Sequence, residues 1–125
     1  MAILCSNIDL LKNIDYNIRT NYPDKTLTTF ETLEMSKKFP KEIDNIRKRK
    51  KIGFNLNNGM IKLSTTHSFK GYEVPTLFLI IDEEDNEEIV YAGITRSKFN
   101  IMVFTKENSK YNDFFNIDLE RVITK

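Results

Sequence analysis

The sequence has 125 residues, of which 40% are hydrophobic and 30% are charged. That length suits one domain, and the composition provides one apolar core with a charged surface. The 4 glycines and 3 prolines are too few for a collagen-like, mucin-like or largely disordered chain. The net charge is +1, so any binding of nucleic acid must depend on a local patch.

Two further features narrow the class of protein. No apolar run approaches the roughly 18 residues that span a bilayer, and residues 1–9 become polar too early for a signal peptide, so we expect no membrane contact. The single cysteine, Cys5, cannot form an internal disulfide, which favours a reducing, cytoplasmic location.

The first half of the chain predicts strands alternating with helices. Ala2–Cys5 is apolar and predicts a strand, after which Ser6 and Asn7 offer an N-cap for an amphipathic helix of about twelve residues. A turn at 21–24 precedes a strand at 27–30. Leu33–Lys38 predicts a short helix, which Pro40 separates from a longer one that presents Ile43, Ile46 and Phe54 near one face.

The second half continues this alternation. Residues 57–59, Asn-Asn-Gly, are a strong turn signal, and an alternating strand follows at 61–65. Residues 77–81 are apolar without a break, which is typical of a parallel strand buried on both faces. A helix at 87–98, a strand at 100–104 and a short helix at 111–115 complete the prediction. Together these elements predict one α/β domain with a mainly parallel sheet and no second-domain boundary.

Charge is concentrated in two runs. Eight basic residues lie between Ser36 and Lys51, against two acids, and six acids lie between Asp82 and Glu88 with no base. A solvated surface is the simpler interpretation of both runs, but the basic run also suits contact with phosphates.

Several catalytic and ligand-binding motifs are absent from the sequence. No glycine is followed by Lys, so there is no P-loop to hold a triphosphate. The sequence also lacks a Gly-x-Ser-x-Gly motif and any Cys/His spacing typical of a metal site.

The first segment dense in chemical groups runs from position 61 to 73. It leaves the carboxyl end of a strand, where open α/β sheets bind ligands, and it supplies the hydroxyl of Thr65 and the imidazole of His67. Gly71 permits a positive φ or a close backbone approach, and Glu73 can accept hydrogen bonds from ribose hydroxyls. A polar turn that caps a helix is the alternative interpretation.

The second dense segment runs from position 89 to 98. Arg96 lies near a helix end, and the small residues Ala92 and Gly93 precede it at the spacing that would leave room for a bulky anion. A guanidinium is always charged and can bind two phosphate oxygens at once. The alternative is a surface salt bridge from Arg96 to one of the acids at 82–88.

Taken together, the two segments resemble motifs V and VI of the UvrD/Rep-type superfamily-one DNA helicases. The matching residues are Thr65-x-His67-x-x-Lys70-Gly71-x-Glu73 and Val90-Tyr91-x-x-Ile94-Thr95-Arg96-x-Lys98. The resemblance covers essentially residues 1–125 as the C-terminal RecA-like motor domain of a longer protein. It implies a RecA-like three-layer sandwich, which is a P-loop NTPase-like fold without its P-loop.

The resemblance also implies a role for each candidate residue. Arg96 would be the arginine finger that reaches the γ-phosphate of ATP, while Gly71 would lie near the phosphates and Glu73 would accept from the ribose. Thr65 and His67 would contact single-stranded DNA. ATP and Mg²⁺ would be held mainly by an N-terminal RecA-like domain of the same protein, so the isolated chain would be inactive as an ATPase. One short loop would then carry both residues that face ATP and residues that face DNA. Closure of the cleft between the two RecA-like domains would therefore be coupled to movement along DNA.

The sequence departs from the family pattern in four respects. Thr66 replaces a residue that is usually apolar, Gly93 and Ser97 replace alanines, and the motif-IV arginine has no clear counterpart. The connection between Asn21 and Met60 is too short for the large inserted DNA-binding subdomain, so the chain resembles the compact branch. Two other functions stay open: a stand-alone module that binds single strands or docks on a helicase, and a purely structural RecA-like domain.

Overall fold

The computed structural model describes residues 1–54, 60–69, 71–106 and 109–111. Its elements in chain order are β1 (Ala2–Cys5), α1 (Ile8–Asn21), β2 (Thr26–Thr28), α2 (Leu33–Lys38), α3 (Ile43–Gly53), β3 (Ile61–Ser64), β4 (Val74–Ile80), α4 (Glu87–Ile94) and β5 (Ser97–Phe104). These strands form one sheet in the order β2-β3-β1-β4-β5, and all neighbouring strands are parallel. The predicted α/β class is therefore confirmed.

The strand register defines two edges of the sheet. Leu4 of the central strand β1 lies level with Ser64 of β3 and with Leu79 of β4. We call the edge where the strands end the carboxyl edge, and the edge where they begin the amino edge. Because β4 begins three residues before the level of Ala2, the first residue of β1, Val74 extends beyond the start of β1 at the amino edge.

Apolar side chains cover both faces of the sheet. On one face, Leu4 and Leu79 pack with Val90 of α4. On the other face, Cys5 and Leu63 pack with Leu11 of α1. Helices therefore flank the sheet on both faces, as in the RecA-like and Rossmann-like three-layer sandwiches.

Most predicted elements are confirmed, with small shifts at their ends. The N-cap is Asn7, whose Oδ1 accepts a hydrogen bond from the Leu10 N–H at 3.2 Å. Helix α2 has the predicted bounds, and Thr32 caps it by accepting from the Met35 N–H. In the turn at 21–24, Asp24 has a φ of 60°, a left-handed conformation that Asp tolerates better than most residues.

The predicted helix at 87–98 is too long. Helix α4 ends at Ile94, and β5 already begins at Ser97 because the Arg96 carbonyl accepts a hydrogen bond from the Val74 N–H at 2.9 Å. This pairing with β4 imposes extended backbone on residues that could otherwise continue the helix.

The predicted alternation in β3 is wrong at Ser64, which is fully buried. Its hydroxyl accepts from the Thr29 hydroxyl at 3.0 Å and donates to the Thr65 carbonyl at 2.8 Å, so its polar group is satisfied inside the domain. The predicted turn at 57–59, Lys70 of the first motif and the helix at 111–115 beyond Tyr111 lie outside the described residues. None of the helices in the described ranges has the length and apolar character needed to cross a membrane.

Candidate nucleotide and single-strand interface

Thr65 and His67 lie at the carboxyl edge of the sheet, directly after β3. The Thr65 hydroxyl accepts a hydrogen bond from the Ser68 N–H at 3.2 Å, and its carbonyl accepts from the Phe69 N–H at 3.1 Å. These bonds close a tight turn that leaves the His67 side chain exposed, whereas Thr66 is buried. An exposed imidazole beside an ordered threonine can contact a ligand at this edge.

Gly71 and Glu73 lie at the other end of the same loop, where β4 begins. Gly71 has a φ of +91°, as the sequence predicted, and a Cβ there would meet nothing within 4 Å. Glu73 is exposed and immediately precedes Val74. The glycine turns the chain toward the strand that begins one residue after Glu73.

Arg96 lies in the turn between α4 and β5 and is brought to this same end of the sheet. Its backbone pairs with Val74, the neighbour of Glu73. Nη2 donates to the Thr95 hydroxyl at 3.1 Å, while Nε is buried and has no hydrogen-bond partner among the described residues. The side chain as a whole is only half-buried. A guanidinium that is partly exposed and forms no ion pair among the described residues is suited to bind an anion.

The alternative salt bridge between Arg96 and the acidic run does not form among the described residues. The acids follow β4 at the carboxyl edge, and α4 then runs back along the sheet for eight residues, or about 12 Å. Arg96 is therefore at the amino edge. Asp85 has a structural role instead, since it accepts from the Ser6 hydroxyl and from the Asp82 N–H.

The lack of a Cβ at Gly93 allows α4 to pack closely on the sheet. It does not leave room for an anion, so this part of the prediction is wrong. A Cβ at Gly93 would lie 2.7 Å from Cδ1 of Leu79. Both residues are buried, so the glycine allows α4 to approach β4 closely.

The structure thus divides the predicted site between two ends of the sheet. Leu79 lies level with Ser64, at the carboxyl edge. Val74 lies five residues before Leu79, which is roughly 16 Å along the strand. Gly71, Glu73 and Arg96 belong to the amino edge, and Thr65 and His67 to the carboxyl edge. The expectation that the whole segment lies at the carboxyl edge is wrong for its second half, because the loop runs back along the sheet to reach β4.

A buried ion cluster beside the carboxyl edge has no counterpart in the sequence predictions. Glu31 is fully buried and accepts from Arg47 Nε at 2.6 Å, from Arg47 Nη2 at 2.8 Å and from Lys12 Nζ at 2.7 Å. Burial would raise the pKa of Glu31, but the hydrogen bonds from Arg47 and Lys12 outweigh it and lower the pKa to about 2. The cluster ties α1 and α3 to the segment after β2. In the sequence, the sign of this cluster is a single acid, Glu31, among the threonines and the phenylalanine of residues 28–32.

Two hydroxyl contacts connect α3 and the end of β3 to neighbouring threonines at the end of β2. Lys50 Nζ donates to the Thr28 hydroxyl at 3.0 Å, and the neighbouring Thr29 hydroxyl donates to Ser64, the residue before Thr65. Burial and the nearby Arg19 guanidinium lower the pKa of Lys50, against the opposing effect of Asp15 and Glu31. Helix α3 and the loop at 65–68 therefore belong to the same edge of the sheet.

Cys5 is fully buried at the end of β1, and burial raises the pKa of its thiol. Within the described ranges, no three His, Cys, Asp or Glu side chains come together in a group that could hold a metal ion. Comparison of the chain with protein-family models, with curated proteins and with solved structures finds no match.

Proposed function

We infer that this chain is the C-terminal RecA-like motor domain of an ATP-dependent DNA helicase or translocase of superfamily one. The observation that carries the inference is the position of Arg96, whose half-buried guanidinium has an unpaired Nε and whose backbone pairs with the residue after Glu73. One cation, one exposed carboxylate and an open glycine turn therefore share the amino edge. This set matches what a nucleoside triphosphate presents, namely phosphate oxygens and ribose hydroxyls.

The resemblance to motifs V and VI supplies the proposed roles, and these positions are compatible with them. Arg96 stabilises the negative charge that develops on the γ-phosphate, Glu73 accepts from the ribose, and the backbone at Gly71 lies beside the phosphates. Thr65 and His67 bind the sugar-phosphate backbone of single-stranded DNA at the opposite edge, without reading base edges. The sequence has no P-loop, so an N-terminal RecA-like domain holds ATP and Mg²⁺ and the isolated chain does not hydrolyse ATP.

The test combines this chain with an N-terminal RecA-like domain that carries the P-loop, and measures DNA-stimulated ATP hydrolysis. An arginine finger contributes roughly 10³–10⁵-fold to the rate in well-studied nucleotidases, so Arg96→Ala should lower turnover by at least about a hundredfold. Lys25→Ala is the control, because Lys25 is an exposed cation outside both motifs. A loss below about tenfold for Arg96→Ala would contradict the finger role. Robust ATP turnover by the chain alone, surviving Arg96→Ala, would overturn the function.

A second candidate function is a stand-alone module that binds single strands or docks on a helicase. The exposed His67 beside Thr65 favours it, because this surface needs no nucleotide to be formed. Salt-dependent oligonucleotide binding that is as tight as that of a whole helicase, and that no nucleotide alters, would support the module over the motor.

A further inference from the structure

A cavity between α2 and α3 combines an exposed aromatic ring with two cations. Its volume is about 430 Å³, and its lining is Met35, Phe39, Glu42, Ile46, Arg49 and Lys50. Ile46 is buried and Met35 is half-buried, so the floor is apolar, whereas Phe39 is 48% exposed. This volume lies within the usual range for small-ligand sites.

The ring of Phe39 stands where α2 ends. The Phe39 N–H donates to the Met35 carbonyl at 2.8 Å, and Pro40 follows, so the backbone is fixed on both sides of this residue. A phenylalanine that stays 48% exposed leaves about half of its surface outside the core. It does present a flat apolar surface on which a nucleobase can stack.

The cations of this cavity are not neutralised by ion pairs within the described part of the chain. Arg47 pairs with Glu31 and Lys38 pairs with Glu34, but no carboxylate of the described residues forms an ion pair with Arg49 or Lys50. Glu42 is the one acid in the lining. The local charge therefore complements an anion such as a phosphate.

The cavity adjoins the carboxyl edge where Thr65 and His67 lie. Lys50 lines the cavity and also donates to Thr28, which pairs with Leu63 of the neighbouring strand β3. Adjacent strands are about 4.8 Å apart, so a strand of nucleic acid that contacts Thr65 can continue toward α3.

We propose that the cavity between α2 and α3 binds one nucleotide of a single-stranded nucleic acid, with its base stacked on Phe39 and its phosphate at Arg49 and Lys50. This rests on the proposed function, because it extends the strand path that starts at Thr65 and His67. It also assigns a role to two members of the basic run, Arg49 and Lys50.

The experiment measures binding of the full chain to fluorescent single-stranded oligonucleotides by anisotropy, at several salt concentrations. One oligonucleotide is all thymidine, and the other has the same length with abasic sugars. Stacking of one base typically changes affinity by about fivefold or more, so Phe39→Ala should weaken thymidine binding by at least that factor. The same substitution should leave abasic binding unchanged, and Phe39→Tyr should restore the thymidine affinity. Thermal melts of each variant confirm the fold.

Arg49→Gln should weaken binding of both oligonucleotides and flatten the dependence of log affinity on log salt by about 0.7. Two exposed residues outside the cavity serve as matched controls: Tyr22→Ala for the ring, and Lys41→Gln for the cation. Neither should change affinity by more than about twofold.

Two results would overturn the proposal in distinguishable ways. If the chain binds oligonucleotides and His67→Ala weakens binding, but Phe39→Ala behaves like Tyr22→Ala, the cavity is not a nucleotide site and the proposed function stands. If the chain binds neither oligonucleotide, both the cavity site and the single-strand contacts of the proposed function are wrong.

Discussion

At the scale of single residues, Glu31 is the most consequential side chain that the sequence did not reveal. A fully buried carboxylate is tolerated only with partners, and Arg47 and Lys12 provide three hydrogen bonds. Removing one member of such a cluster leaves buried charges unpaired, which is strongly destabilising. The cluster therefore contributes to holding α3, and with it the basic residues of that helix, against the segment after β2.

Replacing Glu31 with Gln should lower the free energy of unfolding by about 3 kcal/mol, because Arg47 and Lys12 lose their shared counter-charge. Urea unfolding followed by circular dichroism at neutral pH measures this change. The control is Glu34→Gln, whose ion pair with Lys38 is exposed on both sides, and its urea midpoint should move little. Equal shifts of the urea midpoint in the two variants would show that the buried cluster stabilises the fold no more than the exposed ion pair does.

The same carboxylate predicts a pH dependence of stability. Its folded-state pKa of about 2 lies below the ordinary value of 4.5. The contribution of Glu31 is therefore fully present above pH 4.5 and is lost as the pH falls toward 2. Thermal melts of the wild type should show this loss between those values, and Glu31→Gln should lack that part of the decline. A parallel decline in both proteins would contradict the assignment.

At the scale of elements, α4 packs against β4 through Gly93 and Leu79. Gly93→Ala adds a methyl group 2.7 Å from Leu79 Cδ1, so overpacking should outweigh the gain in helix propensity and destabilise the fold by about 1 kcal/mol. In a Leu79→Ala background the methyl group has room, and the same change should become stabilising. Urea unfolding of all four proteins measures this coupling.

Gly53→Ala is the matched control for this cycle, since Gly53 ends α3 and a Cβ there would meet nothing within 4 Å. That substitution should be neutral or stabilising in both backgrounds. If Gly93→Ala has the same effect with and without Leu79, contact between α4 and β4 is not the reason for the glycine.

The elements also show how far the sequence predicts this fold. Helical spacing and the N-cap at Ser6 and Asn7 predicted α1, and the unbroken apolar run predicted β4, since these signals are local. The end of α4 was missed because it depends on pairing between Arg96 and Val74, which are distant in sequence. For the same reason the burial of Ser64 and the division of the candidate site between two edges could not be predicted. The loop at 65–73 joins the two edges, and no local sequence pattern indicates that it runs back along the sheet.

At the scale of the whole molecule, the two candidate ligand surfaces lie at opposite ends of one sheet. Coupling between them must therefore pass through the loop at 65–73 or through movement of the whole domain, and not through direct contact of the ligands. In the isolated chain, Arg96→Ala should leave oligonucleotide affinity within about twofold of the wild type, whereas His67→Ala should lower it. Anisotropy titrations of both variants make the comparison. Equal losses would indicate that one ligand spans both ends.

Cys5 offers a way to follow the opening of this domain as a unit. The chain has one thiol, it is fully buried beside Leu11 of α1, and burial raises its pKa. An alkylating reagent can reach the sulfur only when the central strand separates from its covering helix. The labelling rate would therefore measure how often the folded domain opens, and no additional probe would have to be introduced.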